Sequence, residues 1–149
     1  MKVFFLSLLC TLFVMDSSVE WLGDFEKAKT EATQANKYIL LNFCGSDWCI
    51  PCIKLKKDIF ESDEFKTYAG EHLILVRADF PRLKKNQLDK KQTAINEGLA
   101  EKYNPEGKFP LTVLIDAKGK VVKEWDGYPK DFTSTQLVQD ITKATHAKK

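Results

Sequence analysis

Imidazole is nearly absent from this chain: His72 and His146 are its only histidines, far apart and without metal-ligand spacing. A histidine-built metal centre is therefore not legible. A surplus of one charge is lacking too. Twenty-three basic residues face 21 acidic ones for a net charge of +2, which gives no electrostatic case for binding nucleic acid. No internal repeat and no low-complexity segment is present, so neither a solenoid nor a compositional tail is expected. Cysteine is sparse, at four residues. Without Cys10, which lies in the N-terminal apolar run, an odd set remains, and Cys44, Cys49 and Cys52 do not make a disulfide scaffold.

No uncharged run is long enough to span a bilayer, which takes roughly 18 residues. The N-terminus instead carries Lys2 followed by thirteen residues without a charge, Val3 to Met15. A basic start and an apolar stretch of about 7–15 residues has the form of a secretory signal peptide. Residues 1–18 are therefore read as a signal peptide, or as an N-terminal anchor through residues 3–15 if it stays uncleaved. Leu9 stands where lipid attachment to Cys10 would want a small residue. The expected location is exported, periplasmic or extracellular, with membrane contact only through an uncleaved segment. What remains, residues 19–149, has the length of one domain. The chain's 44% hydrophobic and 11% aromatic content suffices for an ordinary core.

Ser17 to Glu20 has capping-box spacing, and Trp21, Leu22, Phe25, Ala28 and Ala32 follow with helical periodicity, so a first helix to about Ala35 is predicted. A buried strand, Tyr38 to Phe43, comes next, then an amphipathic helix to Phe60. Ser62 caps another helix ending near Gly70, and Leu73 to Asp79 reads as a second buried strand. Ile95, Leu99 and Tyr103 mark a short helix. Leu111 to Ile115 and Val121 to Trp125 flank the turn Ala117-Lys118-Gly119 as a hairpin. Thr133 or Ser134 caps a last helix carrying Leu137, Val138, Ile141 and Ala144. At the junction of the first strand and second helix stand Trp48-Cys49-Ile50-Pro51-Cys52. Two cysteines three apart share one side of a helix and can close and reopen a disulfide. The partial positive charge of a helix N-terminus favours a thiolate there, the reactive species of thiol–disulfide exchange.

Phe43-Cys44-Gly45-Ser46-Asp47-Trp48-Cys49-Ile50-Pro51-Cys52 resembles the active-site segment of the thioredoxin superfamily. It is similar in particular to exported thioredoxin-like proteins with a Gly-Ser-Asp-Trp-Cys-x-x-Cys signature. Lys108 to Asp116 resembles that family's cis-proline strand, and Trp125-Asp126-Gly127 its strand end with a glycine. The similarity runs from about Val19 to the C-terminus, in the family's order. It implies an α/β thioredoxin fold, a central mixed β-sheet flanked by helices. It also implies a thiol–disulfide oxidoreductase without a bound cofactor, acting on protein thiols and disulfides and served by an unidentified redox partner. By the same carry-over Cys49 is the nucleophile, more exposed and more acidic than the resolving Cys52. Pro110 is the cis-proline, and Phe109 and Trp48 contact substrate.

Two departures from the family pattern matter. Asn42 stands where many thioredoxins bury an aspartate, and an amide cannot take the resolving thiol's proton; exposed Asp47, or water, is left to serve. No histidine lies between the cysteines, which argues against a strong oxidant and for a reductase over an oxidase or isomerase. Cys44 reads as a small buried hydrophobe, with a regulatory thiol as the alternative. A copper or other soft-metal carrier using Cys44, Cys49 and Cys52, or a thioredoxin-like binding module, is the contrasting function. The segment from Arg82 to Lys91 holds five basic residues against Asp89 alone. It reads either as a solvated loop or as a docking surface for an acidic partner or an anionic membrane face.

Overall fold

The computed structural model describes residues 19–147; the segment 1–18 read as a signal peptide or anchor lies outside them. Chain order is β1 (Trp21–Leu22), α1 (Phe25–Ala35), β2 (Tyr38–Cys44), α2 (Ile50–Leu55), α3 (Asp63–His72), β3 (Leu73–Asp79), α4 (Lys90–Tyr103), β4 (Leu111–Ile115), β5 (Val121–Asp126) and α5 (Ser134–His146). The five strands form one mixed sheet in the order β1-β3-β2-β4-β5. Strands β1 and β2 run parallel to β3, while β4 is antiparallel to both β2 and β5. This is the thioredoxin fold.

Alternation along β2 divides the core. Ile39, Leu41 and Phe43 face one side, where Phe25, Ala28 and Ala32 of α1 and Leu99 and Tyr103 of α4 cover them. Leu40 faces the other, against Leu55, Ile59, Phe65 and Ala69 and against Leu137 and Ile141 of α5. A central strand covered on both faces must be apolar at nearly every position, which is why Tyr38 to Phe43 is apolar but for Asn42. Burying each such Leu, Ile or Phe contributes about 1.5–3 kcal/mol.

The sequence places most elements to within a residue or two, because their caps are local. Ser62 accepts the Phe65 amide, Asp89 the Gln92 amide, and Thr133 forms a reciprocal capping box with Gln136. The first helix is a correction. Trp21 and Leu22, assigned to it by periodicity, are instead an edge strand paired with Leu75 and Val76. The helix starts only at Phe25, where Asp24 accepts the Lys27 amide. A free edge on β3 outcompeted a helical period that Trp21 and Leu22 happen to satisfy. The second helix has its expected extent but becomes π-helical over Lys56–Phe60. The i→i+5 spacing of a π turn swings the fifth residue on back over its starting face, so Leu55, Ile59 and Phe60 are all buried.

Candidate active site

Strand β2 ends at Cys44, beside Asp79 at the end of β3. From there the chain turns through Gly45 to Trp48 and enters α2. Gly45 is required: a Cβ at this position would overlap the Trp48 indole, which lies directly against it. Cys49 is the N-cap of α2, its Sγ accepting the Cys52 amide at 3.3 Å, and Pro51 sits in the first turn. A proline there gives up only an N–H that has no intrahelical acceptor. Cys49 and Cys52 are joined as a disulfide. The two are buried almost equally, at 4% and 5% exposure, so the expectation that Cys49 is the more exposed fails in the oxidised protein. Trp48 and Phe109 cover the cysteines, whereas Ile50, one residue into the motif, is 62% exposed.

The Phe109–Pro110 peptide bond is cis. Pro110 is buried, and its carbonyl accepts the amide of Gly127 at 2.9 Å. Gly127 has φ +75°, a backbone conformation that suits glycine. The Trp125-Asp126-Gly127 segment thus ties directly to the proline strand. The rings of Trp48 and Phe109 meet edge to face at 5.5 Å, and Phe80 meets Phe109 at the same separation.

Asn42 lies on the α2 side of β2, 3% exposed, donating to Thr112 Oγ1 at 3.1 Å and to the Leu111 carbonyl at 3.4 Å. It joins β2 to β4 where a carboxylate would find one hydroxyl donor and one repelling carbonyl. Asp47 is the second correction. Its carboxylate accepts the backbone amides of Arg82 and Leu83, both at 2.9 Å, and the Asn86 side chain at 3.0 Å. The Arg82 amide foremost, with Asn86 and Leu83, holds its pKa below the ordinary carboxylate value. That makes Asp47 a clamp on the 82–86 segment and a poor proton acceptor.

Cys44 packs with the disulfide. Its thiol lies 3.5 Å from Asp79 Oδ1. Burial first, and then the negative Asp79, push its pKa up to about 12, so it stays a protonated buried thiol. A soft-metal site would need Cys44 as a thiolate in that setting. Among the described residues no three histidine, cysteine or acidic side chains are grouped to hold a metal. His72 and His146 both line one depression, with Tyr38 and Tyr68, at the far end of the sheet.

Three groups around the loop had no sequence signal. Asp79 accepts the Ser46 amide at 2.9 Å and the Ser46 hydroxyl at 2.6 Å. The Phe80 carbonyl accepts the Trp48 indole N–H at 2.7 Å. The Arg82 guanidinium sits 3.7 Å over the Trp48 ring. Each contact joins residues more than thirty apart in the chain, out of reach of any local pattern.

Fold and site together define a thioredoxin-fold protein with a disulfide at the head of a helix. A family model described as thioredoxin-like matches residues 20–117, and the chain belongs to that family. It is 41% identical over 104 residues to the disulfide bond reductase DsbH of Chlamydia pneumoniae, an alignment covering 70% of this chain and 60% of that protein. The matched region thus spans about 60% of that relative's length. Identity to the thioredoxin-related protein DsbJ of the same organism is 40% over 63 residues, covering 42% of this chain and 18% of that one. Among solved structures, a DsbH oxidoreductase superposes with TM-score 0.76 at 35% identity, covering 86% of this chain and 85% of that one.

Proposed function

We propose that this chain is an exported thiol–disulfide oxidoreductase that reduces protein disulfides through Cys49 and Cys52. The observation that carries the reading is the disulfide at the N-cap of α2, covered by Trp48 and Phe109 and flanked by exposed Ile50. In the reduced protein the Cys49 thiolate attacks one sulfur of a substrate disulfide. That S–S bond breaks, the leaving sulfur departs as a thiolate and takes a proton from solvent, and a mixed disulfide forms. Cys52 then loses its proton and attacks Cys49 Sγ, expelling the second substrate sulfur and closing Cys49–Cys52. Two electrons pass from the pair to the substrate, and a dithiol donor must return them. Because Asn42 offers no carboxylate and Asp47 is engaged, water is the acceptor for the Cys52 proton.

The reducing direction is supported by the absence of an imidazolium between the cysteines and by similarity to a protein named a disulfide bond reductase. Export rests on the form of residues 1–18. Trp48, Phe109 and Pro110 are assigned to the substrate-facing rim. The test is trapping. Cys52→Ala should accumulate a mixed disulfide with a protein substrate such as oxidised insulin, whereas Cys49→Ala should accumulate none. Equal trapping by both variants, or by neither, would contradict the assignment.

A further inference from the structure

The basic segment is built onto the active site. Asp47, one residue before Trp48, holds the amides of Arg82 and Leu83 and the side chain of Asn86. Arg82 covers Trp48, which in turn covers the disulfide. The next helix is tied to the same end of the sheet: buried Asn96 donates to the carbonyl of Asp79, the residue opposite Cys44, at 2.8 Å. A basic surface therefore begins one side chain from the disulfide and continues through Lys84, Lys85, Lys90 and Lys91, with Leu83 49% exposed at its edge. All four lysines are exposed. Among the described residues none is ion-paired, and Asp89, the one acid in the stretch, is spent on capping α4.

Local energetics do not explain this placement. Lys90 and Lys91 are the first two residues of α4, the end of a helix where the macrodipole disfavours cations. Two other helices follow the rule, α1 with Glu26 in its first turn and α3 with Asp63 and Glu64, and α2 and α5 begin with no charge at all. Charges set against local preference are expected where function demands them.

We propose that this surface docks an acidic stretch of the protein whose disulfide exchanges with Cys49–Cys52, carboxylates lying within a few residues of its cysteine. The proposal rests on the oxidoreductase reading and names the substrate class for that site. A protein partner fits better than an anionic membrane, because the basic segment begins with Arg82 on the Trp48 ring and a bilayer seated there would cover the disulfide. In the exchange the partner's S–S bond breaks and the pair is oxidised as described above; the lysines change no bond and act by raising the local concentration of acidic substrate.

The test uses the reduced protein and two synthetic peptides of equal length, each a mixed disulfide with 2-mercaptoethanol. In one the cysteine is flanked by glutamates, in the other by lysines. Rates are divided by those of dithiothreitol on the same peptide, which removes intrinsic reactivity, and uncharged hydroxyethyl disulfide is the reference. The acidic peptide should react roughly tenfold faster or more at low ionic strength, as steering allows. The ratio should fall towards one at about 0.5 M salt, where screening is strong. The quadruple variant K84Q/K85Q/K90Q/K91Q should lose the preference without a lower Tm. K37Q/K118Q/K120Q/K143Q, with the same net charge but altered at the far end of the sheet, should keep it. Equal peptide rates at low salt, or equal loss in both variants, would overturn the proposal. So would phosphatidylglycerol vesicles that bind through the four lysines while the peptide ratio stays at one. Inability to reduce hydroxyethyl disulfide would instead remove the oxidoreductase reading, and the docking proposal with it.

Discussion

On one side of the Cys49–Cys52 disulfide the chain is tied down by polar contacts, and on the other it is left apolar and open. The tied side is the segment after β3, fixed to the active-site loop by Asp47, by the Trp48 indole on the Phe80 carbonyl and by Asp79 on Ser46. The open side is α2, where Ile50 and Ile53 are 62% and 41% exposed. Exchange chemistry needs both. A mixed disulfide must form at a fixed sulfur, so one wall has to be rigid. On the oxidoreductase reading proposed above, a protein substrate is seated on the other wall, whose Ile50 and Ile53 keep apolar surface in water.

The largest effect should come from removing the piece that joins the rigid wall to the disulfide. Trp48→Ala deletes the Phe109 contact, the bond to Phe80 and the seat of Arg82. It should cost about 3 kcal/mol in denaturant unfolding, the low end for buried aromatics because Trp48 is half-buried. Next comes the buried amide behind the loop. Asn42→Asp should destabilise by about 1–3 kcal/mol at neutral pH, since a buried carboxylate would face the Leu111 carbonyl. Burial would raise that carboxyl's folded pKa, so the loss should begin to shrink as pH falls through the raised folded value and should be gone below the unfolded carboxylate value of about 3.9.

Opening the clamp itself should be milder and more local. Asp47→Ala should speed hydrogen exchange at the Arg82 and Leu83 amides while leaving β2 and β4 protected. Acid should do the same to the unaltered protein. The Asp47 pKa is depressed on folding, so its contribution is complete above the ordinary carboxylate value and is lost as pH drops through the folded one. Amide chemical shifts of Arg82 and Leu83 followed down that range would report it. Smallest of all in stability should be the open wall: Ile50→Ser should stay within about 0.5 kcal/mol. It should nevertheless slow reduction of a protein disulfide more than reduction of hydroxyethyl disulfide, and equal slowing of both would remove substrate seating from Ile50.

The same contrast governs how much could be read from the residues. The open wall is local: Cys49, Pro51 and Cys52 lie within one turn, and the amphipathic run behind them announces the helix. Strands β2 and β3 are legible as mostly apolar runs, and two helices, α3 and α5, are legible through caps a few residues long. The rigid wall is a set of side-chain-to-backbone bonds between segments distant in sequence, and no periodicity encodes them. Asp47 looked like a free acid because the amides of Arg82 and Leu83 that occupy it lie in another segment. Trp21 and Leu22 fit a helical period, and only the available edge of β3 makes them a strand. Cys44 was readable as a buried small residue from its place at the end of an apolar strand; the role of Asp79 beside it was not.

The central claim is that Cys49 and Cys52 form a reversible couple poised for reduction of protein disulfides. Its most direct test is the equilibrium reduction potential of the pair, followed by Trp48 fluorescence in graded thiol buffers. A value near about −270 mV, as for thioredoxin, is predicted. A value near about −120 mV, as for strong oxidants, would reverse the direction, and no reversible couple at all would contradict the account.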